Sequence, residues 1–315
     1  MTLKQLTLSC LLILASLILA PNAFAQEAVE MKIFPLERNG VQLHLARYQI
    51  TQAQEGQTPL LMVHGLTYSS HEFDVDYKDY SLARFFAREG FSVWLLDIAG
   101  YGQSQPVEDG FMPDSDYAAE DINAAVDLIL KESGAKKLNI LGWSWGTVTS
   151  GRFAAKYGDE KINRLVLYAP IVAGLAAIEV KTPFNHNTWE HAADDFQRNE
   201  DKTINYEITE PGVVGVFLSN CWRYDKESSP NGGRKDLLVD PKERLIPTAS
   251  INVPTLLIVG DKDPYVSPAL CEEAKKSLPN EGSKLVVLEG ASHSMMMEAP
   301  YYKEFRKAVL DFLKD

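Results

Sequence analysis

Leu138-Asn-Ile-Leu-Gly-Trp-Ser-Trp-Gly146 carries an apolar run straight into two glycines separated by three residues, with Ser144 midway between them. Gly142-Trp143-Ser144-Trp145-Gly146 fits G-x-S-x-G, the pattern of a serine displayed on a sharp turn between a buried strand and a helix. So tight an elbow brings backbone against backbone on both sides, and a Cβ at either glycine would collide. The flanks agree: 137–141 reads as a short strand, and Val148, Phe153, Ala154 and Tyr157 fall at helical spacing over 147–157. Ser144 is the leading candidate nucleophile.

At the other end of the chain, residues 1–25 read as a secretory signal peptide. Lys4 precedes an apolar stretch from Leu6 to Ala20, then Pro21 and the small-x-small sequence Ala23-Phe24-Ala25, so cleavage is expected after Ala25. About 15 apolar residues fall short of the ~20 that span a bilayer, and no stable membrane anchor is expected after cleavage. Export places the protein in the periplasm or outside the cell. Losing Lys4 takes the formal net charge from −12 to −13, which disfavours nucleic acid and anionic membranes as partners and leaves small molecules. Of the three cysteines, Cys221 and Cys271 would survive cleavage; an oxidising compartment permits a disulfide between them, and two buried thiols are the alternative. No cysteine and histidine spacing suggests zinc.

Beyond residue 28, short strands alternate with longer helical stretches, the pattern of a mostly parallel sheet covered on both faces. Strands are predicted at 30–34, 41–50, 60–63, 92–96, 138–141, 164–168, 255–259 and 284–288, the first two as a hairpin around Asn39-Gly40. The last six are near-continuous in Leu, Val and Ile, as strands buried on both faces must be. Helices are predicted at 82–88, 117–131, 147–157, 268–276 and 301–313. Between 170 and 250 the alternation stops, and scattered aromatics among polar residues indicate an inserted, partly helical cap, with helical stretches at 189–198 and 213–221 and a turn-rich loop at 228–233. The expected organisation is a core of 26–170 and 251–315 with a cap of 171–250.

A serine hydroxyl at neutral pH needs a base, and the base needs a group that fixes its tautomer. In an open parallel sheet both should lie just past the carboxyl ends of later strands. Of six histidines only His293, on the loop after the last strand, fits that position, whereas His44 alternates within a hairpin strand and His186 and His191 lie in the cap. After the preceding strand come two aspartates; Asp261 sits beside Gly260 and suits a turn-stabilising role, while Asp263 can reach toward His293 and is the candidate acid. Donors for a developing oxyanion are expected from the backbone N–H of Trp145 and, on the loop after the third strand, of Leu66. His64 is expected to brace that loop.

The set His64-Gly65, Asp97-Ile-Ala-Gly-Tyr-Gly-Gln-Ser104, Gly142-Trp-Ser-Trp-Gly146, Gly260-Asp-Lys-Asp263 and Gly290-Ala-Ser-His293 resembles the α/β-hydrolase superfamily across nearly the whole mature chain. The resemblance implies an eight-stranded core, a cap between the sixth and seventh strands, and hydrolysis without a cofactor. Epoxide hydrolases and haloalkane dehalogenases carry aspartate where Ser144 stands, so the hydroxyl points to acyl chemistry instead of alkyl-enzyme chemistry. Prolyl aminopeptidases share Ser-Trp-Gly at the elbow, but their His-Gly-Gly-Pro-Gly loop is replaced here by His64-Gly-Leu-Thr-Tyr68.

Trp143, Trp145 and Met295 are the candidate substrate-binding residues. One tryptophan is expected to pack helix against sheet and the other, by analogy Trp145, to line an apolar acyl pocket. The cap aromatics Trp189, Phe217 and Trp222 either close the site or form an ordinary cap core. The expected activity is that of a secreted serine hydrolase cleaving small-molecule carboxylic esters through an acyl-enzyme, with Ser144, Asp263 and His293 as triad. Amide or aminopeptidase-like hydrolysis, carbon–carbon bond hydrolysis and a non-catalytic ligand-binding protein are the alternatives.

Overall fold

Val29–Arg38 (β1) and Val41–Ile50 (β2) pair antiparallel about a two-residue turn, Asn39 and Gly40, whose φ values of 53° and 79° are both positive. Such a turn matches the right-handed twist of the strands it joins, and Asn-Gly adopts it at little cost. The computed structural model describes residues 28–52 and 56–315, so the leader expected over 1–25 lies outside the described residues.

Strands follow at Pro59–Val63 (β3), Ser92–Asp97 (β4), Leu138–Trp143 (β5), Ile162–Tyr168 (β6), Phe184–His186 (β7), Ser228–Pro230 (β8), Thr255–Gly260 (β9) and Lys284–Leu288 (β10). Eight of them form one sheet in the order β1-β2-β4-β3-β5-β6-β9-β10. β2 runs antiparallel to β1 and β4, and every other pairing in that sheet is parallel. Every residue of β3, β4, β5 and β9 is buried, which is the physical reason these strands lack polar alternation.

The helices are Leu82–Arg88 (α1), Ser115–Ser133 (α2), Trp145–Lys161 (α3), Trp189–Ala192 (α4), Pro211–Tyr224 (α5), Gly232–Leu237 (α6), Pro268–Ser277 (α7) and Tyr302–Lys314 (α8). The five expected in the core are present, α2 longer than predicted at each end: the Asp114 carboxylate caps its start by accepting the N–H groups of Asp116 and Tyr117, and Gly134, at a φ of 69°, closes its end. α2 and α3 are tied by Lys161, whose ammonium donates to Asn123 Oδ1 (2.7 Å) and Asp127 Oδ1 (2.5 Å). α1 and α8 are joined by the Arg306 guanidinium over the Phe85 ring (4.9 Å) and by Lys314 donating to Glu89 (3.1 Å).

Residues 169–254, between β6 and β9, hold the two-stranded ribbon β7-β8 and helices α4 to α6. Phe196 meets Phe217 edge-on (5.3 Å), both buried and continuous with the core around the sheet, while the exposed Trp189 stacks on Trp222 (4.9 Å between centroids). Asp225, at the end of α5, fastens the segment to the sheet by accepting from Ser69 N–H (3.1 Å), Ser69 Oγ (2.8 Å) and Gly102 N–H (2.9 Å). Two expectations change here. The helix predicted over 189–198 stops at Ala192, beyond which Arg198 turns back onto Ala193 O and Asp194, and 228–233 contains β8 and the first two residues of α6 where a loop was predicted. Cys221 and Cys271 are free, buried thiols, and burial pushes the Cys271 pKa up to about 12.

Candidate active site

β5 ends at Trp143 and α3 begins at Trp145, leaving Ser144 between them with φ 55° and ψ −120°. A non-glycine residue there costs about 1–2 kcal/mol in backbone energy. Local hydrogen bonds hold it in place: Ser144 N–H donates to Tyr168 O (3.0 Å), and Ser144 O accepts from Thr147 N–H (2.9 Å) and Oγ1 (2.5 Å). A Cβ on Gly142 would strike the Gly146 carbonyl, and one on Gly146 would strike the Val63 carbonyl. The elbow is this tight only because both positions lack a side chain.

Asp263 follows β9 and His293 follows β10, and the direct parallel pairing of these strands brings the two loops together. His293 Nδ1 lies 2.8 Å from Asp263 Oδ2, with both side chains shielded from solvent. The other carboxylate oxygen, Oδ1, accepts the N–H groups of Tyr265 (2.8 Å) and Val266 (3.0 Å), which aims Oδ2 at the imidazole. Asp261 is engaged elsewhere, accepting from Gly290 N–H (2.5 Å) and pairing with Lys262 (3.0 Å) at the surface. The His293 carbonyl accepts from Trp143 Nε1 (3.1 Å) and from the Tyr168 hydroxyl (2.6 Å), so the loop is braced from beneath. Burial disfavours a charged His293, but the Asp263 carboxylate and its hydrogen bond, aided by Asp195 and Glu298, outweigh it and raise the pKa above the ordinary histidine value.

The loop after β3 lies directly on the elbow: a Cβ on Gly65 would stand 2.9 Å from Ser144 Cβ. His64 holds that loop. Its Nε2 accepts Ile98 N–H (3.1 Å), which leaves the proton on Nδ1 for donation to Gly65 O (2.8 Å). Burial lowers the His64 pKa, in keeping with this neutral tautomer. The N–H of Trp145 opens α3 and has no carbonyl one helical turn back to bond, as for any first helical residue.

A cavity of about 170 Å³ lies over Ser144 and His293, walled by Leu66, Thr67 and Tyr68 from the loop after β3 and by Ile171, Leu175 and Leu237 from the segment between β6 and β9. His191, Asp194, Asp195, Arg234 and Tyr265 supply its polar wall. Trp143, Trp145 and Met295 are absent from the lining, a correction to the substrate-binding roles expected of them. The turn lifts Ser144 away from the sheet and sends its flanking rings down into packing. Trp143 stacks on Tyr168 (5.6 Å) beneath His293, while Trp145 donates Nε1–H to Ser115 Oγ (2.9 Å) and lies against His64 and Tyr101. Met295 is fully buried in the 3-10 turn Met295–Met297. Asp195, Arg234 and Tyr265 escaped the sequence reading; the adjacent pair Asp194-Asp195 in an otherwise amphipathic stretch was the only local signal.

Among the described residues His44, His71 and Asp97 bring ligand-capable atoms within 4.8 Å of one another. The Asp97 oxygens already accept from Ser70 N–H (3.0 Å), Ser70 Oγ (2.5 Å) and Gln103 N–H (2.9 Å), which makes the carboxylate a structural knot beneath two loops. None of the three lines the cavity over Ser144. No described helix is long and apolar enough to cross a membrane.

A family model described as Serine aminopeptidase, S33 matches residues 54–300, most of the chain. The chain belongs to this S33 family. It is similar over most of its length to Lipase 1 of Psychrobacter immobilis, 26% identical over 310 residues that cover 91% of each protein. The human Serine hydrolase BPHL (Homo sapiens) is 27% identical over 280 residues, covering 88% of the S33 chain and 84% of that relative. Among solved structures, bromoperoxidase from Bacillus anthracis superimposes with a TM-score of 0.67 at 18% identity, covering 91% of this chain and 100% of that one. That likeness is one of fold, the α/β-hydrolase architecture of an eight-stranded, mostly parallel sheet flanked by helices.

Proposed function

We propose that this S33 serine hydrolase cleaves carboxylic esters through an acyl-enzyme, with Ser144 as nucleophile, His293 as base and Asp263 as its orienting acid. The observation that carries this reading is the 2.8 Å contact between His293 Nδ1 and Asp263 Oδ2 on the cavity that Ser144 also lines. Ser144 Oγ attacks the ester carbonyl as its proton passes to His293 Nε2, and the resulting oxyanion is met by the N–H groups of Leu66 and Trp145. Loss of one such donor costs about 10²–10³ in rate. Collapse of the intermediate expels the alcohol, which takes its proton from His293. Water, deprotonated by the same imidazole, then releases the acid and restores Ser144.

The relatives named as lipases support ester over amide substrates. The cavity of about 170 Å³ is small beside the ~300–1,000 Å³ of ordinary ligand pockets, which favours short acyl groups. On p-nitrophenyl esters of increasing chain length, kcat/KM is expected to be at least about tenfold higher for butyrate than for palmitate. Esters are also expected to outpace aminoacyl p-nitroanilides; faster cleavage of the anilides would reassign the enzyme to amide hydrolysis.

We also infer that the protein is exported, from the apolar stretch and the Ala23-Phe24-Ala25 site. N-terminal sequencing of the protein recovered from periplasm or medium should begin at Gln26. An intact Met1 terminus on protein confined to the cytoplasm would overturn the inference.

A further inference from the structure

The Arg234 guanidinium lines the cavity over Ser144 and is partly buried, yet among the described residues no carboxylate pairs with it. Its bonds are to neutral groups, Nη1 donating to Asn231 Oδ1 (2.7 Å) and Nη2 to Thr67 Oγ1 (2.6 Å). These occupy only part of a guanidinium's donor capacity. A cation held away from water without a counter-charge is unfavourable, and burial does lower the Arg234 pKa. Asp236, two residues further along α6, is engaged elsewhere, accepting from Ser115 N–H (2.8 Å) and facing Arg152 (3.8 Å).

The surroundings fix the guanidinium in place. Asn231, its first acceptor, donates its own N–H to Gly110 O and Pro183 O (2.9 Å each) and its side-chain amide to Thr182 O (3.0 Å). α6 then sits so closely on the elbow that a Cβ on Gly233 would enter the Trp145 indole ring. Arg234 is thus positioned from a helix packed on the residue next to Ser144, and its second acceptor, Thr67, adjoins Leu66 on the loop after β3.

Asp194 and Asp195 line the same cavity, Asp195 interacting electrostatically with His293 and Asp263 and Arg234 with Tyr101 and Tyr68. Arg234, bonded to Thr67 beside the Leu66 N–H proposed to meet the oxyanion, is assigned to the acyl part of the substrate, and the departing alcohol to His293, which delivers its proton. His191 Nδ1, also on the cavity, is buried without a hydrogen-bond partner among the described residues, a polar atom that a polar substrate group would satisfy.

We propose that Arg234 is a carboxylate-binding residue that selects esters whose short acyl part ends in a free carboxylate, that is, hemiesters of small dicarboxylic acids. The assignment rests on the ester-hydrolase reading of the same site. A guanidinium meets a carboxylate by parallel, charge-assisted hydrogen bonds, stronger than those to its present neutral partners.

The test compares p-nitrophenyl hydrogen glutarate with p-nitrophenyl valerate, of equal chain length but uncharged. Wild-type enzyme should favour the hemiester by at least about tenfold in kcat/KM, through KM. Arg234→Gln should bring that ratio to about one, and Arg234→Lys should retain part of it. Since each ratio is taken within one variant, a general loss of activity cancels. Calorimetric binding of glutarate to the Ser144→Ala protein, present with Arg234 and lost in the Ser144→Ala/Arg234→Gln double variant, reads the same contact without turnover. Equal ratios in wild type and Arg234→Gln, or glutarate binding that ignores Arg234, would overturn the proposal. Failure of wild-type enzyme to cleave valerate, with Ser144 unlabelled by a fluorophosphonate, would instead remove the ester reading and leave glutarate binding to decide Arg234.

Discussion

Ser144→Ala is expected to abolish fluorophosphonate labelling and to lower kcat for ester hydrolysis by on the order of 10⁶, the loss seen when an activated serine is removed from a triad. His293→Ala should lose nearly as much, and the double variant little more, because nucleophile and base act as one unit. Turnover above the uncatalysed rate, about 10³–10⁴-fold, should persist from binding and the oxyanion donors. The melting temperature of Ser144→Ala should stay close to wild type. Alanine retains the positive φ of 55° at the elbow, and the hydrogen bonds that hold that turn involve the backbone of residue 144. A labelled and active Ser144→Ala protein would dismiss this serine as the nucleophile.

The second large effect belongs to Asp263→Asn, expected to lower kcat by about 10⁴ with folding preserved. The reason is local. Oδ1 of residue 263 must accept the N–H groups of Tyr265 and Val266, so the asparagine carbonyl takes that place and its NH₂ faces His293. An amide donor there forces the imidazole proton onto Nε2, the nitrogen that has to accept from Ser144. Asp261→Asn keeps a carbonyl to accept Gly290 N–H, loses only the exposed ion pair with Lys262 and should cost no more than about tenfold.

The same substitution carries a pH signature. In wild type, Asp263 helps raise the His293 pKa, so kcat/KM should fall as pH drops through a value above the usual ~6.5. Without the carboxylate, burial dominates and favours the neutral ring, moving the acid limb of the residual activity to lower pH. An acid limb that stays put in Asp263→Asn would separate Asp263 from the base that governs the rate.

Much of this arrangement was readable along the chain because its signals are local. Continuous Leu, Val and Ile mark strands buried on both faces; Asn39-Gly40 marks the hairpin; the two glycines around Ser144 mark an elbow whose carbonyls leave no room for a Cβ. Asp263 and His293 stand out as candidates because each follows a strand end, and adjacent parallel strands deliver their loops to one place. The directions of Trp143 and Trp145 were not readable. Both rings are large and apolar, and only the packing of Tyr168, Ser115 and Gly233 around them decides that they support the turn from below.

The amino-acid sequence alone determined the layered α/β architecture, the elbow and the three chemical groups of the candidate triad, since these depend on periodicity, on glycine at close approaches and on position relative to strand ends. The tertiary structure decided what surrounds Ser144. Arg234, His191 and Asp195 come from a segment without regular alternation, and their chemistry arises from what they face among the described residues: a guanidinium with no carboxylate, an imidazole nitrogen with no partner, and a carboxyl whose pKa burial raises to about 6. Charge and burial of that kind are properties of neighbours brought together across more than a hundred residues, which no local pattern encodes.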